Sequence, residues 1–326
     1  MASDGIPVEV LVAPDSFKGT FTAPQVAEAI GAGLRAGGRE VSLCPVADGG
    51  EGTLEALRVP LGLELVETEV SDPLGRGIRA RFGLGEGVAV VEMAAAGGLG
   101  LVAESERDAM AATSAGTGEL IRAACEAGAQ TIYVTVGGSA STDGGAGAIA
   151  AIDSLDGARL VLLCDVSTPF ERAAEVFGPQ KGADPDQVRR LARRLDGMAD
   201  GWLRDPRGVA MTGAAGGLAG GLWAAFGAEL RPGAGFVLDA LHFNRRMFAA
   251  RAVVVGEGRI DRQTLAGKIA GEIAVRARQA GVPCHAVVGQ NRLDRFDQRI
   301  LDLQVVLEAT TLAKLEAAGL QLARLI

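Results

Sequence analysis

The chain is predicted to be an α/β protein of two domains. Three observations predict this. Short β-branched runs end in glycine-rich loops that lead into helical patterns, as in Val134-Thr-Val-Gly-Gly-Ser-Ala-Ser-Thr-Asp-Gly-Gly-Ala-Gly147. Hydrophobic residues make up 48% of the chain, aromatics only 4%, and 47 residues are glycine, a composition suited to layers packed through Ala, Val and Leu. The length, 326 residues, favours two ordinary domains over one large core.

Val8 to Ala13 is the first expected strand, ending at Pro14-Asp-Ser-Phe-Lys-Gly19. A helix follows, with Thr22 and Gln25 in capping-box register, Pro24 in its first turn, and Val26, Ile30 and Leu34 on one face. The loop lies at the carboxyl end of its strand, the ligand side of an open α/β sheet, which makes Asp15 and Lys18 site candidates against a plain loop ion pair. Val41 to Pro45 is the next strand. Asp48 and Glu51 then flank two glycines, placed either to face one cation or to cap the short helix through Leu57. Leu63 to Val70 alternates as a strand, and Ser71-Asp-Pro-Leu-Gly75 marks a turn where the second domain is expected to begin. Residues 1–70 with 251–326 are therefore assigned to one domain and 71–250 to the insert.

Within the insert, Arg79 to Phe82 and Val88 to Met93 read as paired strands, and Glu92 stands inside an apolar run, at a site edge or poorly buried. Thr113-Ser-Ala-Gly-Thr-Gly118 leads into a helix over Glu119 to Ala127. The loop from Gly137 to Gly147 presents backbone N–H groups at a helix start, a phosphate-type anion site. Asp143 would repel a phosphate unless a divalent cation lay between them. The strand Arg159 to Leu163 brings Asp165 to the same kind of strand end. Phe177-Gly-Pro-Gln-Lys-Gly182 is a turn, and the helix capped by Asp184 and Gln187 carries Arg189, Arg190, Arg193 and Arg194 as a solvated face. Met211 to Gly221 concentrates small residues, for a nucleotide pocket or for close helix packing. The strand Arg251 to Val255 opens the connection Gly256 to Lys268, rich in glycines, acids and cations; Cys284 to Val288, Leu303 to Leu307 and a helix from Leu312 complete the chain.

The formal charge of −8 argues against a nucleic-acid binder. Cys44, Cys125, Cys164 and Cys284 have no zinc or redox spacing and are expected buried and reduced. No leader or spanning segment is visible, so a cytoplasmic protein with no membrane partner is expected. Phosphoryl transfer needs neutralised phosphates, a divalent ion and an oriented hydroxyl. Glycine loops, Asp143, Asp165 and Asp261, with Lys18, Arg259 and Lys268, supply those types, while the P-loop and protein-kinase signatures are absent. Two other readings compete. Gly145-Ala-Gly-Ala-Ile-Ala150 loosely matches a dinucleotide fingerprint followed by Asp165, as in an NAD(P)-dependent oxidoreductase of small hydroxy acids, although the glycines do not directly follow the strand. A non-catalytic carboxylate-binding protein would explain Lys18 and Arg259 but not the acidic strand ends.

Five blocks in order, Ala13-Pro-Asp-Ser-Phe-Lys-Gly19, Pro45-Val-Ala-Asp-Gly-Gly-Glu-Gly52, Gly137 to Gly147, Phe177 to Ala183 and Gly256 to Thr264, closely resemble the type-1 bacterial glycerate kinase family, with Glu92-Met-Ala-Ala-Ala-Gly97 as a sixth. The resemblance implies ATP-dependent phosphorylation of D-glycerate with Mg2+, more in the manner of enzymes giving 2-phosphoglycerate than 3-phosphoglycerate. It also implies a flavodoxin- or Rossmann-like domain interrupted by an inserted α/β domain, with the active cleft between them. Carried over by motif, Asp165 or Asp261 is expected to orient or deprotonate the hydroxyl, and Lys18 and Lys268 to compensate transition-state charge. Asp15, Lys18, Arg259 and Lys181 are expected at the substrate. Gly137, Gly138, Ser139, Asp143, Gly144, Gly145, Gly216 and Gly217 are expected at the nucleotide, and Asp48, Glu51, Asp143 and Glu257 at the metal. A homodimer is expected from general oligomer symmetry. Ser141-Thr142 and Ser167-Thr168 depart from the family's wording, and the stretch from Gly147 to Cys164 is compressed.

Overall fold

The structure, a computed structural model, describes residues 10–265 and 268–326. Val8 of the expected first strand, the first five residues, and Ala266 and Gly267 of the last strand-to-helix connection lie outside them. The described chain lays down β1 (Val10–Pro14) and β2 (Val41–Leu43), leaves to build β3 (Glu64–Ser71), β4 (Gly77–Leu84), β5 (Val88–Glu92), β6 (Thr131–Thr135), β7 (Arg159–Cys164) and β8 (Glu229–Pro232), and returns with β9 (Ala252–Ile260), β10 (Cys284–Asn291) and β11 (Leu303–Glu308). Two compact units result: residues up to Asp48 with Ala234–Ile326, and Gly49–Gly233.

The first unit holds a parallel sheet in the order β11-β10-β9-β1-β2. Its central strands are apolar and buried, as strands covered on both faces must be. Helices Ala23–Ala36 and Leu312–Ala323 pack on it through Val26, Ile30, Leu34, Leu315 and Leu322. Thr22 and Gln25 form the expected capping box, with Pro24 in the first turn. From β1 the chain moves to β2 on one side, while β9, β10 and β11 extend the other way. The reversal between β1 and β9 is the topological switch point at which open α/β sheets bind ligands.

The second unit is a six-stranded sheet in the order β3-β4-β5-β6-β7-β8, antiparallel from β3 to β5 and parallel beyond. The division falls at residues 48/49 and 233/234 rather than 70/71 and 250/251. The turn at Ser71 to Gly75 is a hairpin, since β3 pairs along its whole length with β4 and belongs to this sheet. Residues 234–250 return to the first unit, where Arg246 donates to Ser42 Oγ and the Leu43 carbonyl, both at 2.7 Å. The compressed stretch is a short crossover, a helix over Ala146–Ala151 leading directly to β7. The other expected capping box, Asp184 with Gln187, also forms, and the four arginines of that helix are exposed. Cys44, Cys164 and Cys284 are buried free thiols, while Cys125 is only half-buried.

The strand β9 runs on to Ile260 instead of stopping at Val255. Its partner β10 continues beside it, Val288 opposite Glu257 and Gln290 opposite Arg259.

Candidate active site

Each unit gathers expected site residues at the carboxyl ends of its parallel strands. In the first unit, Asp15 follows β1 directly and is only 3% exposed. Its backbone N–H donates to the Gly256 carbonyl at 2.8 Å, and its Oδ1 accepts from Ser16 N at 2.6 Å. Burial, then the charge of Asp48, pushes its carboxyl up to about 8, with Glu257 adding to the rise and Ser16 and Lys18 opposing it. Lys18 Nζ lies 4.0 Å from Asp48 Oδ2, its side chain 60% exposed over a buried acid. Glu257 Oε1 accepts from Lys268 Nζ at 2.7 Å, and Thr264 Oγ1 lies 3.5 Å from Oε2. Burial raises the Glu257 carboxyl against the pull of Lys268. Asp15, Lys18, Asp48, Glu257 and Lys268 thus form one cluster of three acids and two cations. Arg259 and Asp261 pair with each other at 3.0 Å on the more exposed end of β9.

In the second unit the loop after β6 is held from beneath. Asp143 is buried and accepts four hydrogen bonds: to Oδ2 from Ser114 N, Ser114 Oγ and Gly147 N at 2.9, 2.8 and 3.1 Å, and to Oδ1 from Gly145 N at 3.1 Å. Ser114 in turn accepts from Ala148 N at 3.0 Å. Lys181, 2% exposed, donates to Ser139 Oγ at 2.8 Å and to the Ser141 carbonyl. Burial drives its ammonium down to about 7, with Asp143 opposing the fall. Among the described residues the backbone N–H groups of Gly137, Gly138, Ser139, Ser141 and Thr142 donate to no protein acceptor, and the buried Thr142 hydroxyl has no partner. Such a cradle fits phosphate oxygens.

Gly216 and Gly217 form the back of this loop, which is the close-packing alternative. A Cβ on Gly216 would lie 2.1 Å from the Ser141 carbonyl oxygen, and one on Gly217 would lie 2.7 Å from the Phe170 ring and 3.0 Å from Gly144 Cα. Asp165, after β7, lies against Gly137: a Cβ there would be 3.3 Å from Asp165 Oδ2. Glu92, at the end of β5, accepts from Leu54 N at 2.8 Å and caps the helix Thr53–Arg58. The N-cap residue of that helix is Gly52, which has no side chain to cap it. Burial raises the Glu92 carboxyl, and the charge of Glu51 adds to the rise.

Of the four expected metal ligands, Asp48 and Glu257 stand in the first unit and Glu51 and Asp143 in the second. Among the described residues no group of three or more acid, histidine or cysteine side chains is placed to hold a metal ion. Asp143 spends its oxygens on the loop, Asp48 and Glu257 stand with Asp15 and the lysines, and the charge of the exposed Glu51 acts on Glu92. A magnesium ion carried on nucleotide phosphates needs only one or two carboxylates, which Asp48 and Glu257 fit better than Asp143. Ser114 and Thr264 were missed from sequence. Ser114 follows Thr113 at a helix start, the one local signal that marked it.

The profile described as the Glycerate kinase family matches residues 10–155 and 152–318. The chain belongs to the glycerate kinase family. It is similar to a glycerate kinase of Bacillus subtilis (38% identical over 327 residues, covering 86% of this chain and 85% of the relative). A glycerate 2-kinase of Escherichia coli K12 is 35% identical over 325 residues, with 86% and 85% covered. A crystal structure from Salmonella typhimurium LT2, provisionally assigned as glycerate kinase 2, superposes with a TM-score of 0.82 at 33% identity, covering 98% of both chains. The two-domain α/β glycerate kinase fold and, at family level, ATP-dependent phosphorylation of glycerate follow. The two profile matches meet at residues 152–155, inside the compressed stretch before β7.

Proposed function

We propose that this glycerate kinase family member transfers the γ-phosphoryl group of ATP to D-glycerate, giving 2-phosphoglycerate and ADP. The observation that carries the reading is the buried Asp15 at the switch point, a carboxyl shifted to about 8 between Lys18 and Glu257. A base working near neutral pH is what removal of an alcohol proton calls for. Asp15 is therefore preferred as the proton acceptor to Asp165 and Asp261, the latter being paired with Arg259. Lys18 and Lys268 balance the charge of the glycerate carboxylate and of the transferring group, and the Gly137–Thr142 amides bind the phosphates. Mg2+ supplies charge neutralisation of the triphosphate when bound, with Asp48 and Glu257 as the carboxylates nearest the lysines. Phosphorylation at carbon 2 is supported by the name of the Escherichia coli relative.

Location in the cytoplasm, homodimerisation and the absence of nucleic-acid and membrane partners belong to the same proposal; among the described residues no helix is long and apolar enough to cross a membrane. The test is an assay of purified protein with Mg-ATP and D-glycerate, L-glycerate or related hydroxy acids, the phosphorylated carbon being identified by phosphorus–proton NMR. ADP release dependent on D-glycerate and a 2-phospho product are expected. Nicotinamide-dependent oxidation without phosphoryl transfer, or stoichiometric acid binding without turnover, would replace the reading with one of its two competitors.

A further inference from the structure

We infer that Lys181 is a positioning residue for the nucleotide loop and not a ligand of glycerate: its ammonium holds the N–H groups of Gly137, Gly138, Ser139, Ser141 and Thr142 in the orientation that receives phosphate. The inference rests on the proposed phosphate role of that loop. Its own basis is geometric. Lys181 ends the short helical turn Pro179–Lys181 and is 2% exposed, so its ammonium is held inside the protein and not presented to a dissolved acid. Two of its three N–H groups are committed to the loop, to Ser139 Oγ at 2.8 Å and to the Ser141 carbonyl. Gly216 closes the other side: a Cβ there would stand 2.9 Å from Lys181 Nζ and 2.1 Å from Ser141 O, at a backbone φ of +66°. The remaining neighbours are the charge of Asp143 and a small cavity of about 10 Å3 shared with Ala140, Arg107 and Asp108.

An ammonium taken out of water is costly unless its bonds are made, and here those bonds go to two residues of one loop. Burial also brings Lys181 down to about 7, so the anchor is easily weakened by anything that removes its charge. Withdrawing it releases the Ser139 hydroxyl and the Ser141 carbonyl in a loop that stays bridged to Gly98 at Ser139, and misplacing binding groups by even an ångström lowers affinity strongly.

The experiment is calorimetric titration of the full-length protein with ATP, alongside steady-state kinetics in D-glycerate, for Lys181→Met, Ser139→Ala and the double variant. Lys181→Met is expected to weaken ATP binding roughly 10- to 100-fold, the range for a lost charge-assisted bond, with the KM for D-glycerate changed by less than about twofold. Ser139→Ala should act in the same direction and less, and the double variant should be no worse than Lys181→Met alone. A raised KM for D-glycerate with unchanged ATP affinity overturns the inference, as do additive effects in the double variant. Should Lys181→Met fail to fold, Ser139→Ala decides, and unchanged ATP affinity there overturns it. A parent protein that binds no ATP overturns both this inference and the function; one that binds ATP without phosphorylating glycerate overturns the function alone.

Discussion

Asp15 and Glu257 each follow one member of the last residue pair of the parallel strands β1 and β9: Pro14 pairs with Gly256, and Asp15 N donates to the Gly256 carbonyl at 2.8 Å. Burial raises both carboxyls, Asp15 to about 8, and the charge of Asp48 adds to each rise. The pair stands where the strand order reverses, so the sheet's topology places the most perturbed acid of the unit at the position where a ligand docks.

Asp15→Asn is expected to lower kcat at least about 100-fold, as loss of a general base does. In the parent, kcat/KM should rise with pH to a plateau above about 8, because the base works deprotonated. Stability should move the opposite way. A carboxyl raised in the folded state from 3.8 keeps its full stability below 3.8 and loses it as pH climbs toward about 8. The variant should therefore melt higher than the parent at pH 8 and not at pH 3.5, which thermal melts at the two values will show.

Lys268→Met strips Glu257 of its 2.7 Å partner. We expect a loss of about 1–3 kcal/mol, less than for a wholly buried pair since a quarter of the Lys268 side chain is exposed. With the compensating cation gone the Glu257 carboxyl rises further, so the deficit should grow as pH rises from 5 to 8. Urea titrations across that range measure it.

Asp143→Ala leaves the N–H groups of Ser114, Gly145 and Gly147 without their acceptor in a buried place. A cost of roughly 3 kcal/mol or more follows from several unsatisfied donors, together with loss of ATP binding. A stable variant whose only change is a higher magnesium requirement would instead return Asp143 to the metal.

Asp261→Asn should reduce turnover by about tenfold and leave D-glycerate affinity nearly intact, a smaller effect than at Asp15 because Asp261 is shared with Arg259 outside the buried cluster. Equal damage from the two substitutions would restore Asp261 as the base, and unchanged turnover would remove it from the chemistry.

The amino-acid sequence by itself determined the pieces that local physics controls. Hydrophobic periodicity set the strands and helices, the three-residue spacing of Thr22 with Gln25 and of Asp184 with Gln187 set two helix starts, and the order of the glycine-rich blocks set the family. Only the tertiary structure decided what each polar group is for. Glu92 reaches Leu54 across 38 positions, Asp143 reaches Ser114 across 29 and Lys181 reaches Ser139 across 42, so that the first accepts from a helix N–H and the other two are tied to the loop after β6 and its surroundings. The same holds for the domain boundary and the length of β9, which were settled by pairing with β4 and β10. A carboxylate's role depends on which donors fill its oxygens and how much water it keeps, and both are set by chain segments far away in sequence.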